Sequence, residues 1–99
     1  MGRAKIEFCI MPQSYLYEIE RTEYNVRHEV FYGTSNRKKS IEDGLIIFLP
    51  PHLHNTTNKG IHFDREFCNS VKRLGQKAYM HHYNKTIEDF IERYGRNYL

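Results

Sequence analysis

The chain has 99 residues, which predicts a single domain covering 1–99, and it carries a formal net charge of +3 with a sequence pI near 8.9. This mild positive charge permits nucleic-acid binding without requiring it, and two cysteines with no CxxC pair exclude a four-cysteine zinc site. The longest apolar run, at 45–49, is too short to span a bilayer, and the segment MGRAKIEF lacks the apolar region of a signal peptide, so we expect a cytoplasmic protein with no membrane partner.

Strands are predicted in the first half of the chain. Alternating or β-branched stretches at 4–9, 14–20, 25–32 and 45–49 favour four strands, the first two forming a small hairpin. Between the last two, residues 37–43 are predicted to form a single helical turn that ends at Gly44. Pro50-Pro51 ends the last strand and bends the chain.

The second half is predicted to be helical. A long helix begins after Asp64, a suitable N-cap, and runs to about Tyr83. Its apolar face recurs at i, i+4, i+7 and i+11, namely Phe67, Val71, Leu74 and Ala78.

A short helix follows at the C-terminal end. It begins at Thr86, with Asp89 completing a variant of the capping box, and stops at Gly95. Its buried stripe is predicted at Ile87, Phe90, Ile91 and Tyr94. The order of elements indicates an α+β fold with small β-hairpins, a central β–β–α unit and two C-terminal helices.

Four of the six histidines lie within 28–62. Histidines that converge from a strand and the element after it are a common way for a small protein to hold a metal ion. The bend after the last strand can turn His54 back toward His28, and a third ligand could come from His62, His52 or Glu29 if the strand bulges. The alternative is that His28 is a hydrogen-bonded sheet residue, while His52 and His54 are solvated loop residues.

A basic run follows the loop at 33–36. Arg37, Lys38 and Lys39 stand at the start of a helical turn, where free backbone N–H groups and cations together favour a phosphate. Arg37 is suited to grip a phosphate with two hydrogen bonds. The alternative is a solvated basic turn.

Several segments together resemble a known family. RHEVFYGTSNRKKSIEDGL, PPHLHN, NKGIHF, RLGQKAY and DFIERYGRNYL, in this order, resemble small phage- and prophage-encoded HNH-like proteins over residues 26–99. These are endonucleases of the ββα-metal, treble-clef type. The resemblance implies an HNH-like ββα unit at the centre of the chain, and a host-cell cytoplasmic location if the protein is phage-encoded.

The resemblance also implies roles for individual residues. His28 and His54 would bind the metal, with His62 as a further ligand or a substrate contact. Glu29 stands at the position of the general base, where such sites usually carry histidine.

An asparagine that orients the base is a further expectation from the resemblance, and Asn36 is its closest match, with Asn55 as the alternative. The cofactor would be a divalent ion: Mg²⁺ prefers carboxylates, whereas histidine ligands favour Zn²⁺, Ni²⁺ or Mn²⁺. The implied reaction is hydrolysis of a DNA phosphodiester bond, as an endonuclease or nickase.

Two other functions are open at this point. The chain could be a catalytically inactive HNH-like module that binds DNA or a protein, for example a phage inhibitor of a host defence nuclease of the CRISPR type, or a partner of the replication machinery. It could also be a purely structural or dimerising protein that uses its aromatic surface and its C-terminal helices. Cleavage with an added metal favours the enzyme, and a stable complex without cleavage favours the module.

Overall fold

The structure is a computed structural model that describes residues 8–11, 25–54, 60–62 and 64–99. In these residues a two-stranded antiparallel sheet and four helices form an α+β arrangement. The elements in chain order are β1 (Val26–Glu29), α1 (Asn36–Asp43), β2 (Ile46–Leu49), α2 (Pro51–His54), α3 (Arg65–Tyr83) and α4 (Ile87–Tyr94). The strand predicted at 14–20 lies outside the described residues, as does most of the one at 4–9. None of the helices in the described part is long and apolar enough to cross a membrane.

The strand predicted at 25–32 is shorter than expected. β1 pairs with β2 only from Val26 to Glu29, with His28 opposite Ile47. Beyond it, the hydroxyl of Ser40 accepts a hydrogen bond from the Phe31 N–H at 3.0 Å and donates one to the Phe31 carbonyl at 2.6 Å. A side chain from α1 therefore satisfies the backbone groups that a longer strand would have paired.

Two turns fix the ends of this hairpin. Gly44 ends α1 in the left-handed conformation, with φ of 78°, and an added Cβ would stand 2.9 Å from the Phe8 ring. The helix before it has eight residues, more than the single turn predicted. After β2, Pro51 begins the short helix α2, which the sequence pattern did not predict.

Helix α3 begins as predicted, with the Asp64 carboxylate accepting a hydrogen bond from the Phe67 N–H at 3.0 Å. All four positions of its predicted apolar face belong to the core or pack against it, but only Val71 is fully buried. The buried positions are Cys68, Val71, Gly75, Gln76 and Tyr79. Gly75 admits the side chain of Val30, which would lie 2.8 Å from an added Cβ.

Helix α4 carries both hydrogen bonds of the predicted capping box, between Thr86 and Asp89 at 3.0 and 3.1 Å. It ends at Gly95, with φ of 100°, as predicted. The predicted stripe is wrong at Ile91, which is 37% exposed, whereas Phe90 and Tyr94 are buried. Both rings pack on Phe31, with centroids 5.2 and 4.7 Å from it, and place α4 against the end of the hairpin.

A buried charge network joins α1 to α4. The Asp43 carboxylate accepts hydrogen bonds from the Arg93 guanidinium, at 3.0 Å for Nη2, and from the Tyr94 hydroxyl at 2.6 Å. Burial and then this hydrogen bond raise the pKa of Tyr94. We call Asp43, Arg93 and Tyr94 the Asp43 network.

Candidate metal centre

Three histidines from three segments meet at one end of the hairpin. One ring nitrogen from each of His28, His54 and His62 lies within 4.8 Å of the other two. The ring centroids are 5.5 Å apart for His28 and His54, 5.0 Å for His28 and His62, and 4.6 Å for His54 and His62. The prediction that these side chains converge is confirmed, and we call them the histidine cluster. His52, which the sequence left open as a ligand, is not part of it.

Local structure explains the convergence. Side chains alternate along β1, so His28 points inward while Glu29 points to the other face. His54 is the last residue of α2. His62 is placed by two backbone hydrogen bonds between its segment and α2: Ile61 N–H to Leu53 O at 2.7 Å, and His62 N–H to His54 O at 3.4 Å.

The donor atoms fit a metal ion. His54 Nε2 and His62 Nε2 are 3.1 Å apart. Two nitrogens that each bind a tetrahedral zinc at about 2.0–2.1 Å would be about 3.3–3.4 Å apart. Among the described residues, His28 Nε2 is the one buried side-chain nitrogen or oxygen without a hydrogen-bond partner. Because an unpaired buried polar atom costs stability, a bound ion would supply the missing partner.

The surroundings of His28 and His62 disfavour their protonated forms. Burial, and then electrostatic repulsion by His62, His54 and Lys72, lower the pKa of His28 to about 3. Burial also lowers the pKa of His62, as do His54 and Arg37, whereas Glu29 opposes the shift. Neutral imidazole is the form that binds a metal, so no proton competes for His28 near neutral pH.

Glu29 follows His28 on β1, with its side chain on the other face of the strand, and is engaged in ion pairs. Its carboxylate is 2.9 Å from Arg27 Nε and 3.5 Å from Arg37 Nε. Its influence on His62 places it within electrostatic reach of the site. Its role as general base stays a prediction.

The predicted basic run does not act as one surface. Arg37 is exposed and faces Glu29, and Lys38 is exposed. Lys39 Nζ donates to the Arg93 carbonyl at 2.8 Å, and Asn36 Nδ2 donates to the Tyr94 carbonyl at 3.1 Å. Asn36 and Lys39 therefore tie α1 to α4, and their proposed catalytic and substrate-binding roles stay predictions. Asn55, the alternative to Asn36, lies outside the described residues.

Sequence reasoning missed a basic pocket that adjoins the cluster through His62. This cavity of about 580 Å³ is lined chiefly by Tyr32, His62, Arg65, Asn69, Lys72 and Arg96. We call it the basic pocket. Arg65, Asn69 and Lys72 recur at i, i+4 and i+7, so one polar face of the long helix was the available signal.

No protein-family model matches the chain, and comparison with curated proteins and with solved structures finds no significant similarity. The resemblance to HNH-like phage proteins stays a prediction. The described structure itself provides three histidines spaced for a metal ion and a basic cavity beside them.

Proposed function

We propose that this protein is a metal-dependent nuclease, an endonuclease or nickase that hydrolyses phosphodiester bonds in DNA. The observation that carries the proposal is the histidine cluster, with the buried and unpartnered His28 Nε2 at its inner end. Buried polar groups without partners are rare in folded proteins and are concentrated at sites of function. The adjoining cations suit a polyanionic substrate.

The ligand set favours particular ions. Three imidazoles without a carboxylate suit Zn²⁺, Ni²⁺ or Mn²⁺ better than Mg²⁺. Three protein ligands also leave a coordination position open, as catalytic zinc sites do. The bound ion would supply stabilisation of the negative charge that develops on the phosphoryl group.

The chain's own charged groups would position the substrate and move the proton. Arg37 is exposed and only weakly held by Glu29 at 3.5 Å, so a phosphate can draw its guanidinium away with two hydrogen bonds. The Glu29 carboxylate, freed from Arg37, would then accept the proton of the water that attacks the phosphorus, while the P–O bond to the leaving oxygen breaks and that oxygen takes a proton from solvent. Arg27 stays paired with Glu29 at 2.9 Å and keeps the carboxylate in place.

The topology is compatible with an HNH-like ββα unit of phage or prophage origin. An antiparallel hairpin carries the first histidine, and the second follows the second strand. The insertion of α1 between the two strands is a feature of this chain.

The test is a plasmid-nicking assay. EDTA-treated protein is incubated with supercoiled plasmid, and Zn²⁺, Ni²⁺, Mn²⁺ or Mg²⁺ is added back separately. We expect nicking with at least one ion, and its loss in His54→Ala. The matched control is His52→Ala, which removes a histidine from the same short helix but outside the cluster and should leave nicking unchanged. Nicking by a purified His28→Ala/His54→Ala protein would overturn the proposal.

A non-catalytic binding module is the second candidate. It is favoured by the engagement of Glu29 with two arginines and by the structural contacts of Asn36 and Lys39. In this case no ion supports cleavage, while a stable complex forms with nucleic acid or with a protein such as a host defence nuclease. A complex that survives high salt identifies a protein partner, because phosphate contacts weaken steeply with salt.

A further inference from the structure

We propose that the basic pocket is a phosphate subsite, which holds the phosphate flanking the bond positioned at the histidine cluster. The inference rests on the proposed function, since it assigns the pocket to the same nucleic-acid strand. Lys72 and Arg96 would contact the phosphate, with Arg65 at the rim.

The pocket and the cluster share a wall. His62 belongs to both. The Tyr32 ring, which lines the pocket, has its centroid 5.0 Å from that of His62 and 5.6 Å from that of His28. A nucleic-acid strand bound in the pocket therefore lies beside the metal ligands.

The charges in the pocket are of one sign. Of the described residues that line it, three are cationic and none is acidic. Within the part of the chain that the structure describes, Arg65, Lys72 and Arg96 form no ion pair, whereas Arg27, Arg37 and Arg93 each pair with a carboxylate. Cations gathered in a concave site without counter-charges repel one another and attract an anion.

Aromatic rings contact two of these cations, Lys72 and Arg96, without neutralising them. Lys72 Nζ lies 4.8 Å from the centroid of the Tyr32 ring and 5.3 Å from that of Tyr98. The Arg96 guanidinium carbon lies 4.8 Å from the Tyr98 centroid. Tyr98 is itself fixed, since its N–H donates to the side chain of the buried Gln76 at 2.7 Å. A cation–π contact orients a cation and leaves its charge available to a ligand.

The size of the cavity suits a nucleotide. Pockets that take small ligands have volumes of about 300–1,000 Å³, and this one has about 580 Å³. Hydrogen-bonding side chains on its wall, those of Asn69 and Tyr32, can contact the sugar or base beside a phosphate.

The test measures DNA binding separately from cleavage. Fluorescence anisotropy with a labelled single-stranded oligonucleotide, in EDTA and over a range of salt, gives the affinity of the full chain and of Lys72→Met. We expect the variant to bind roughly tenfold more weakly and its plot of log affinity against log salt to be shallower by about 0.7. Arg96→Met should show the same changes, and Lys72→Arg should keep most of the affinity.

The matched control is Lys77→Met, which removes the same charge from the exposed side of α3, outside the pocket. Thermal unfolding of each variant shows that it is folded. Equal weakening by Lys72→Met and Lys77→Met would overturn the subsite. A second experiment measures competition with the labelled oligonucleotide. We expect orthophosphate and a mononucleotide to displace it poorly. A mononucleotide that displaces it as well as the unlabelled oligonucleotide does would overturn the assignment of the pocket to a nucleic-acid strand.

The two proposals fail in distinguishable ways. If nicking occurs and Lys72→Met binds DNA as Lys77→Met does, the nuclease proposal is supported and the phosphate subsite is overturned. If no ion supports nicking and Lys72→Met weakens DNA binding more than Lys77→Met does, the nuclease proposal is overturned and the pocket remains a nucleic-acid site.

Discussion

The Asp43 network and the histidine cluster with its basic pocket are the two polar regions of the described structure, and they treat charge in opposite ways. In the Asp43 network the carboxylate has a guanidinium and a hydroxyl as partners. The cavity of about 370 Å³ beside Arg93 mixes Lys39 and Lys85 with Asp89 and Glu92. At the histidine cluster one buried nitrogen has no hydrogen-bond partner among the described residues, and the described charged residues that line the adjoining pocket are all cationic.

The polar groups of the Asp43 network stabilise the fold, whereas the histidine cluster and the basic pocket offer polar groups to which a ligand could bind. A satisfied network contributes to stability, and removing one member leaves the other groups unpaired. An unsatisfied cluster lowers stability until something binds to it. The two regions should therefore respond with opposite signs when a polar side chain is removed.

The largest expected effect is at the Asp43 network. Asp43→Ala should lower the free energy of unfolding by about 3 kcal/mol, because Arg93 and Tyr94 lose their shared acceptor. Urea denaturation measures the change. Glu42→Ala is the control, since this exposed carboxylate also pairs with Arg93, at 3.2 Å, and its loss should cost less than about 1 kcal/mol. Equal losses of unfolding free energy in the two variants would show that the buried Asp43 carboxylate contributes no more to stability than the exposed Glu42 carboxylate.

The second expected effect is a dependence of stability on pH at the histidine cluster. In the unfolded chain His28 gains a proton near the ordinary histidine pKa of 6.5, whereas in the folded protein it stays neutral to about pH 3. The unfolded state therefore binds more protons in this window, and stability falls as the pH is lowered from 6.5. The slope attributable to His28 should approach about 1.4 kcal/mol per pH unit. His54, His62 and Lys72 are the charged or titratable groups that face it.

Urea denaturation of EDTA-treated protein between pH 6.5 and 5 measures this slope, with His28→Leu as the comparison. The difference between the two proteins isolates His28 from the other histidines. If the two slopes are equal, the burial of a neutral His28 is not what makes folding sensitive to acid.

The smallest expected effect has the opposite sign to the first. In the metal-free protein, His28→Leu should raise the free energy of unfolding by about 1 kcal/mol, because it removes a buried nitrogen that lacks a partner and keeps the packing volume. The same variant should no longer be stabilised by zinc, whereas the unchanged protein should gain about 2.7 kcal/mol when zinc is at 100 times its Kd. If the metal-free His28→Leu protein is less stable than the unchanged protein, the histidine cluster stabilises the fold as the Asp43 network does, and the contrast between the two regions fails.

Local signals in the sequence predicted the two C-terminal helices, α3 and α4. Asp64, Thr86 and Gly95 act through hydrogen bonds or backbone angles within a few residues of themselves, so their pattern is visible along the chain. The end of β1 was not predictable in this way. The Ser40 hydroxyl, from the next helix, forms the hydrogen bonds to the Phe31 backbone that a longer strand would have formed with its neighbour. The apolar face of α3 was predicted, but Gly75 and Gln76 were missed because they are buried for reasons that hydrophobicity does not express.

The histidine cluster was predicted because strand ends and turns limit where three nearby histidines can lie. The basic run was predicted as one surface, but successive residues of a helix point in different directions, so Arg37 faces Glu29 while Lys39 reaches Arg93. The basic pocket was missed because Lys72 and Arg96 lie on different segments. Their lack of counter-ions is visible only in three dimensions.

The two backbone hydrogen bonds that join Ile61 and His62 to α2 have a consequence for ion selectivity. They bring His62 beside His54, so that the two Nε2 atoms lie 3.1 Å apart, and His28 joins them from β1, where it pairs with Ile47. The site therefore offers an ion three nitrogen atoms at short spacing. Calcium prefers six to eight oxygen ligands at about 2.3–2.6 Å. A nitrogen triad of these dimensions should reject calcium by both size and ligand chemistry.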